Sequence, residues 1–136
     1  LVGAETSVVT TVDGGLTFGS LREAVQTANA ALPPHMIRFN ITSAPPHVIY
    51  FYSAGPLVSG DRITIDATTQ PGYSNQPVIC LDGEFTGSGD YGLRITGHSN
   101  TVRGLLVRNF RAGLATGIEI AGGRSNALIA CTVVSN

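Results

Sequence analysis

Four carboxylates, Asp66, Asp82, Glu84 and Asp90, are the side chains best suited to acid–base chemistry. Two carboxyl groups about 5–10 Å apart across a groove can protonate a glycosidic oxygen and activate the attacking group on the other face of the sugar. Their spacing suggests a plainer role. Asp82 follows Leu81 as Arg108 follows Val107, 26 residues later. If these segments stack as neighbouring strands, carboxylate and guanidinium form an ordinary cross-strand pair on the outer surface. Arg94 and Glu119, 25 residues apart, pair in the same way. No catalytic residue is assigned on this basis, and a non-enzymatic role is favoured over an enzyme. A Ser-His-Asp arrangement, a phosphate loop and a dinucleotide fingerprint are all absent from the sequence.

Binding chemistry has other candidates. Tyr50, Tyr52, Tyr73, Phe85 and Tyr91 can offer flat faces to sugar rings. Tyr73, in a long excursion, and Phe85, just after Leu81-Asp82-Gly83, are the best placed and are the candidate carbohydrate-binding residues. His35, His47 and His98 fall in turns without a common phase, and neither cysteine has a His or Cys partner at ligand spacing. Neither a metal nor a cofactor is expected.

The elements that must carry these side chains come from a repeat. Gly92-Leu93-Arg94-Ile95-Thr96-Gly97 returns as Gly117-Ile118-Glu119-Ile120-Ala121-Gly122, 25 residues on, and Asn100 returns as Asn126 after 26. One strand series runs Ile37-Arg38-Phe39, Ile63-Thr64-Ile65, Leu93-Arg94-Ile95 and Ile118-Glu119-Ile120. A second runs Ile49-Tyr50-Phe51, Ile79-Cys80-Leu81, Leu105-Leu106-Val107 and Cys131-Thr132-Val133. Strand side chains alternate, so the outer two of each triplet share one face, and all of these outer residues are apolar. Stacked about 4.8 Å apart, such triplets line a common interior that no single repeat could bury alone. This pattern predicts an all-β chain, a parallel β-helix (solenoid) of about four coils. Ile65, Ile95 and Ile120 are expected to touch in one column. Asn100 and Asn126, at the same turn position one coil apart, are expected to form an amide ladder along the axis.

Composition fits one such domain. The 136 residues carry 8 basic and 9 acidic side chains, a net charge of −1, which provides no field to gather nucleic acid. Charged residues are 12% of the chain, about half the usual share, and glycine is abundant at 17. No apolar run is long enough for a membrane span, and no basic stretch followed by an apolar one marks an export signal within these residues. Register sets Cys80 facing outward and Cys131 inward two coils away, roughly 9–10 Å or more apart, too far for a disulfide. Both are read as free thiols.

Ahead of the repeats, Ser7 to Val12 reads as a strand, and Asp13-Gly14-Gly15 as a turn. The one helix opens at Ser20, where Ser20 caps and Glu23 reaches back to complete a capping box. Leu21, Ala24, Val25 and Ala28 form its apolar stripe, and Pro33-Pro34 bars its continuation. Such a helix closes the open end of an apolar interior. The division expected is an N-terminal strand and capping helix over 1–36 and coils over 37–136.

Several of these runs carry a family resemblance. Ser20-Leu21-Arg22-Glu23-Ala24-Val25, Ile63-Thr64-Ile65-Asp66-Ala67-Thr68-Thr69-Gln70-Pro71-Gly72-Tyr73 and Leu81-Asp82-Gly83 are the first of them. Gly92-Leu93-Arg94-Ile95 and Asn100-Thr101-Val102-Arg103-Gly104-Leu105 continue the match. The chain resembles, over nearly its whole length, the N-terminal region of large secreted bacterial surface proteins with right-handed parallel β-helix (pectate-lyase-like) domains. It departs at Ala67, where glycine is usual, and at Cys80, where a polar residue is. The resemblance implies architecture and an extracellular, cell-surface setting; it implies no shared catalytic residue.

The function expected is therefore a non-catalytic structural module that begins a longer rod or assembles end to end into a filament. Its partners are then further coils of the same chain, or a second copy at the C-terminal edge. A fragment of a polysaccharide lyase or hydrolase, and a carbohydrate-binding adhesin, are the alternatives.

Overall fold

The computed structural model describes residues 5–136. Those residues form twelve β-strands, one α-helix and a single 3-10 turn at Ala67–Thr69. Every strand pairing is parallel. Sheet I contains β1 (Glu5–Val9), β2 (His35–Phe39), β5 (Ile63–Asp66), β8 (Thr101–Arg103) and β11 (Ala127–Ile129), in that spatial order. Sheet II contains β3 (His47–Tyr50), β6 (Ile79–Asp82), β9 (Leu105–Arg108) and β12 (Thr132–Val134). Sheet III contains β4 (Leu57–Val58), β7 (Tyr91–Ile95) and β10 (Thr116–Ile120). From β2 onward the chain visits I, II and III in rotation, and each return pairs with the strand laid down on the previous visit. Inward side chains of all three sheets meet in one core, including Ile37, Ile65, Leu81, Val107, Val58 and Ile95.

Three sheets replace the two rows that the periodicity predicted. The second series is real and forms sheet II. The first series is a composite: Ile37 and Ile63 lie in sheet I, Leu93 and Ile118 in sheet III. The column expected of Ile65, Ile95 and Ile120 is corrected accordingly. Ile65 opposes Ile37 and Val102, whereas Ile95 opposes Val58 and Ile120. The cause is plain in the chain. An Ile-x-Ile run reads identically in any sheet, and the strands that tell the sheets apart, β4, β8 and β11, are two or three residues long, too short for alternation to register. Two pairings also slip by two residues from the expected register, Ile37 facing Ile65 and Ile49 facing Leu81. A slip of one would turn every side chain to the other face; a slip of two keeps the apolar face inward. It also brings His35 and His47 into strands, buried beside Ile63 and Ile79, instead of into turns.

Helix α1 (Leu21–Ala30) buries Leu21, Ala24, Val25 and Ala28 as its spacing requires. It packs on β1, β2 and β4, the leading strands of sheets I and III. Ser20 Oγ accepts the Glu23 N–H at 3.1 Å, and Glu23 Oε1 accepts the Gly19 N–H at 3.2 Å, one residue earlier than an ordinary capping box would reach. The Ser20 N–H is already given to the Thr17 carbonyl.

Side-chain amides tie the bends between strands. Asn100 is buried; its Oδ1 accepts the Ile63 N–H at 2.8 Å and its Nδ2 donates to the Gly60 carbonyl at 2.9 Å. One circuit later Asn126 repeats the device, accepting the Asn100 N–H at 2.9 Å and donating to Gly97 O at 3.0 Å. Asn29 of α1 starts the series by accepting the N–H groups of Ser59 and Gly60 and donating to Leu57 O. The expected amide-to-amide ladder is thus corrected to an alternation of side chain and backbone, because the bend's own N–H and C=O groups need partners first. The bend is tight: a Cβ on Gly97 would clash with the Gly60 carbonyl oxygen, so only glycine fits there.

Candidate functional site

Outward side chains of sheet II form two register columns. Val48, Cys80 and Leu106 make one; Tyr50, Asp82 and Arg108 make the other. Two proline-bearing loops rise beside them, with Pro45 and Pro46 before β3 and Pro71, Pro77 and Val78 before β6, and enclose a groove of about 680 Å³. Val48, Cys80 and Leu106 make a mostly apolar floor, His47 also lines the groove with its Nε2 3.0 Å from the Ser43 carbonyl oxygen, and Tyr50 and Arg108 stand at its polar end.

Asp82 lies beneath that end, buried. Arg108 Nε donates to its Oδ2 at 2.9 Å, Asn109 Nδ2 reaches both oxygens at 3.1 Å, and the Glu84 N–H donates to Oδ1 at 2.9 Å. Burial alone would push this carboxyl up. The hydrogen bonds from Arg108, Glu84 and Asn109, with the Arg108 charge, outweigh it and hold the group below its ordinary value. The same Asp82 bond raises Arg108 further. The pair expected from the 26-residue offset therefore exists, but its carboxylate is a buried anchor and not an outer-surface group.

Cys80 faces outward as its register requires, yet the groove's walls cover it. Burial pushes its thiol up to about 11, the Arg108 charge pulling it back a little and Asp82 adding to the rise. At neutral pH it is a protonated thiol with no nucleophilic character. Cys131 is half-buried against the core, and both cysteines are free.

Asp66 and Asp90 serve local structure. Asp66 accepts the Thr68 N–H at 3.0 Å and lies 3.9 Å from Arg103 in sheet I, and Asp90 accepts the Gly87 N–H at 2.8 Å. Arg94 and Glu119 pair at 3.4 Å on the exposed face of sheet III. Among the described residues no group of three or more His, Cys, Asp or Glu side chains is arranged to hold a metal ion.

The two aromatic candidates are not brought together. Phe85 stacks on Tyr52, ring centroids 5.2 Å apart and 9° from parallel, and meets Tyr50 at 5.5 Å. Tyr73 lies instead by Gly104 and Thr68, near the end of β8. Val48, Leu106 and Arg108 were missed as groove residues. Their signal was present in the alternation of β3, β6 and β9 together with two proline-rich loops ahead of the strands, which mark walls beside an outward face. Compared with protein-family models, curated proteins and solved structures, the chain matches none.

Proposed function

We propose that this chain is a non-catalytic, extracellular structural module with a right-handed parallel β-helix architecture of about four coils, its front closed by α1. It resembles in this the N-terminal regions of secreted bacterial pectate-lyase-like surface proteins. The observation that carries the reading is the rotation of the chain through sheets I, II and III, each return stacking in parallel register on the last. One circuit then presents its free strand edges to the next, so that stacking extends the rod. The edges of β10, β11 and β12 are suited to receive either further coils or another copy, since Ile120, Leu128 and Val133 are exposed along them.

Sedimentation and electron microscopy over a range of concentrations test the assembly variant: growing rods support it, and a species that stays monomeric removes it. Incubation with polysaccharides tests the absence of catalysis. New reducing ends or unsaturated sugar products, lost on substitution of Asp82 or Asp66, would overturn it.

The Tyr52–Phe85 stack favours a second reading, an adhesin that holds sugar rings on exposed aromatic faces. Glycan-array binding that disappears in Phe85→Ala supports it, and binding equally sensitive to Tyr73→Ala would speak against this pair as its site.

A further inference from the structure

The groove on the outer face of sheet II has a chemistry that the structural role does not use. We infer that it binds a small apolar carboxylate, with the ligand's hydrocarbon or aromatic body on Val48, Cys80 and Leu106 and its head on Arg108. The volume of about 680 Å³ lies within the range of small-molecule sites. Its floor is poor in hydrogen-bonding groups, so a sugar's hydroxyls would give up water there and find few partners. An apolar body loses nothing in the same place and gains by burial.

Arg108 supplies the anchor. It is the one Lys, Arg, Asp or Glu residue lining the groove, and Asp82, its ion-pair partner, does not line it. Only Nε is engaged by Asp82; among the described residues neither terminal nitrogen of Arg108 has a hydrogen-bond partner. Asp82 is itself clamped by Glu84 N–H and Asn109, so the guanidinium is fixed from behind. A fork held at one edge with both terminal groups vacant is preorganised for a second carboxylate. Tyr50, tilted against Phe85 at 5.5 Å, walls the same end with an aromatic face.

The test uses the full chain with 2-naphthoate as probe and the neutral 2-naphthamide as its isostere, followed by calorimetry and by backbone amide shifts. The acid is expected to bind about tenfold more tightly than the amide, the worth of one charge-assisted contact. The largest shifts should fall at Val48, Tyr50 and Leu106. Arg108→Lys, which retains a cation for Asp82 but lacks the fork, should erase most of the preference for the acid while the amide binds as before. Val78→Trp, which fills the groove from its rim, should abolish both. Equal affinities for acid and amide in the unaltered chain overturn the inference. So do shifts centred elsewhere, or no saturable binding of 2-naphthoate at any soluble concentration.

Discussion

Residues at equivalent register positions fare very differently at the two ends of the molecule. Ile95 is fully buried and Ile120, its partner on the next strand, is 49% exposed. The same holds for Val107 at 0% against Val133 at 45%, and for Val102 at 1% against Leu128 at 40%. At the opposite end Val9, on the edge strand of sheet I, is fully buried, and α1 packs its apolar stripe close to that strand. The apolar triplet is the same throughout. What changes is whether an element lies above it, so burial in this fold is conferred by the neighbouring layer more than by the residue.

That contrast predicts unequal penalties. Ile95→Ala is expected to cost about 2–5 kcal/mol in denaturant unfolding, and Ile120→Ala about 1 kcal/mol or less. Equal losses would show that β10 is covered to the same degree as β7. The asparagines sharpen the point with polar groups. Asn100→Ala orphans the Ile63 N–H and the Gly60 carbonyl in a buried bend and should cost about 1–3 kcal/mol. Asn126→Ala should cost less, since water reaches its bend from the open side.

Ion pairs give the smallest differences and a pH signature. Asp82 has a folded value depressed below its ordinary 3.8, so its contribution is complete above that value and is lost as pH falls through the folded one. Arg108→Gln should lower stability at neutral pH by about 1–2 kcal/mol and blunt the loss on acidification, because the carboxyl then protonates more readily. Glu119→Gln, in the exposed pair with Arg94, should change stability by no more than about 0.5 kcal/mol at any pH. Acid titration of unfolding free energy for the two variants separates an anchored pair from a solvated one.

Much of this was legible in the chain. The helix and its stripe followed from Ser20, Glu23 and four apolar residues at helical spacing, and sheet II from an aliphatic run repeated in alternation. The division between sheets I and III was not legible, since Leu57-Val58 and Thr101-Val102-Arg103 are too short to announce themselves. The candidate site was half visible. Asp82 and Arg108 declared themselves by their offset, but the groove depends on loops whose path over Cys80 no local pattern specifies. Tyr73 and Phe85 looked equivalent as loop aromatics; tertiary packing alone set one beside Gly104 and the other on Tyr52.

The rotation through three sheets can be tested by trapping one pair of strands. Thr64 and Thr101 are register partners on β5 and β8, whereas two rows of triplets would have set Thr64 beside Arg94. In a chain carrying Cys80→Ala and Cys131→Ala, the pair Thr64→Cys/Thr101→Cys should form a disulfide under mild oxidation, and Thr64→Cys/Arg94→Cys should not. Bridging of the second pair in preference to the first would contradict the arrangement.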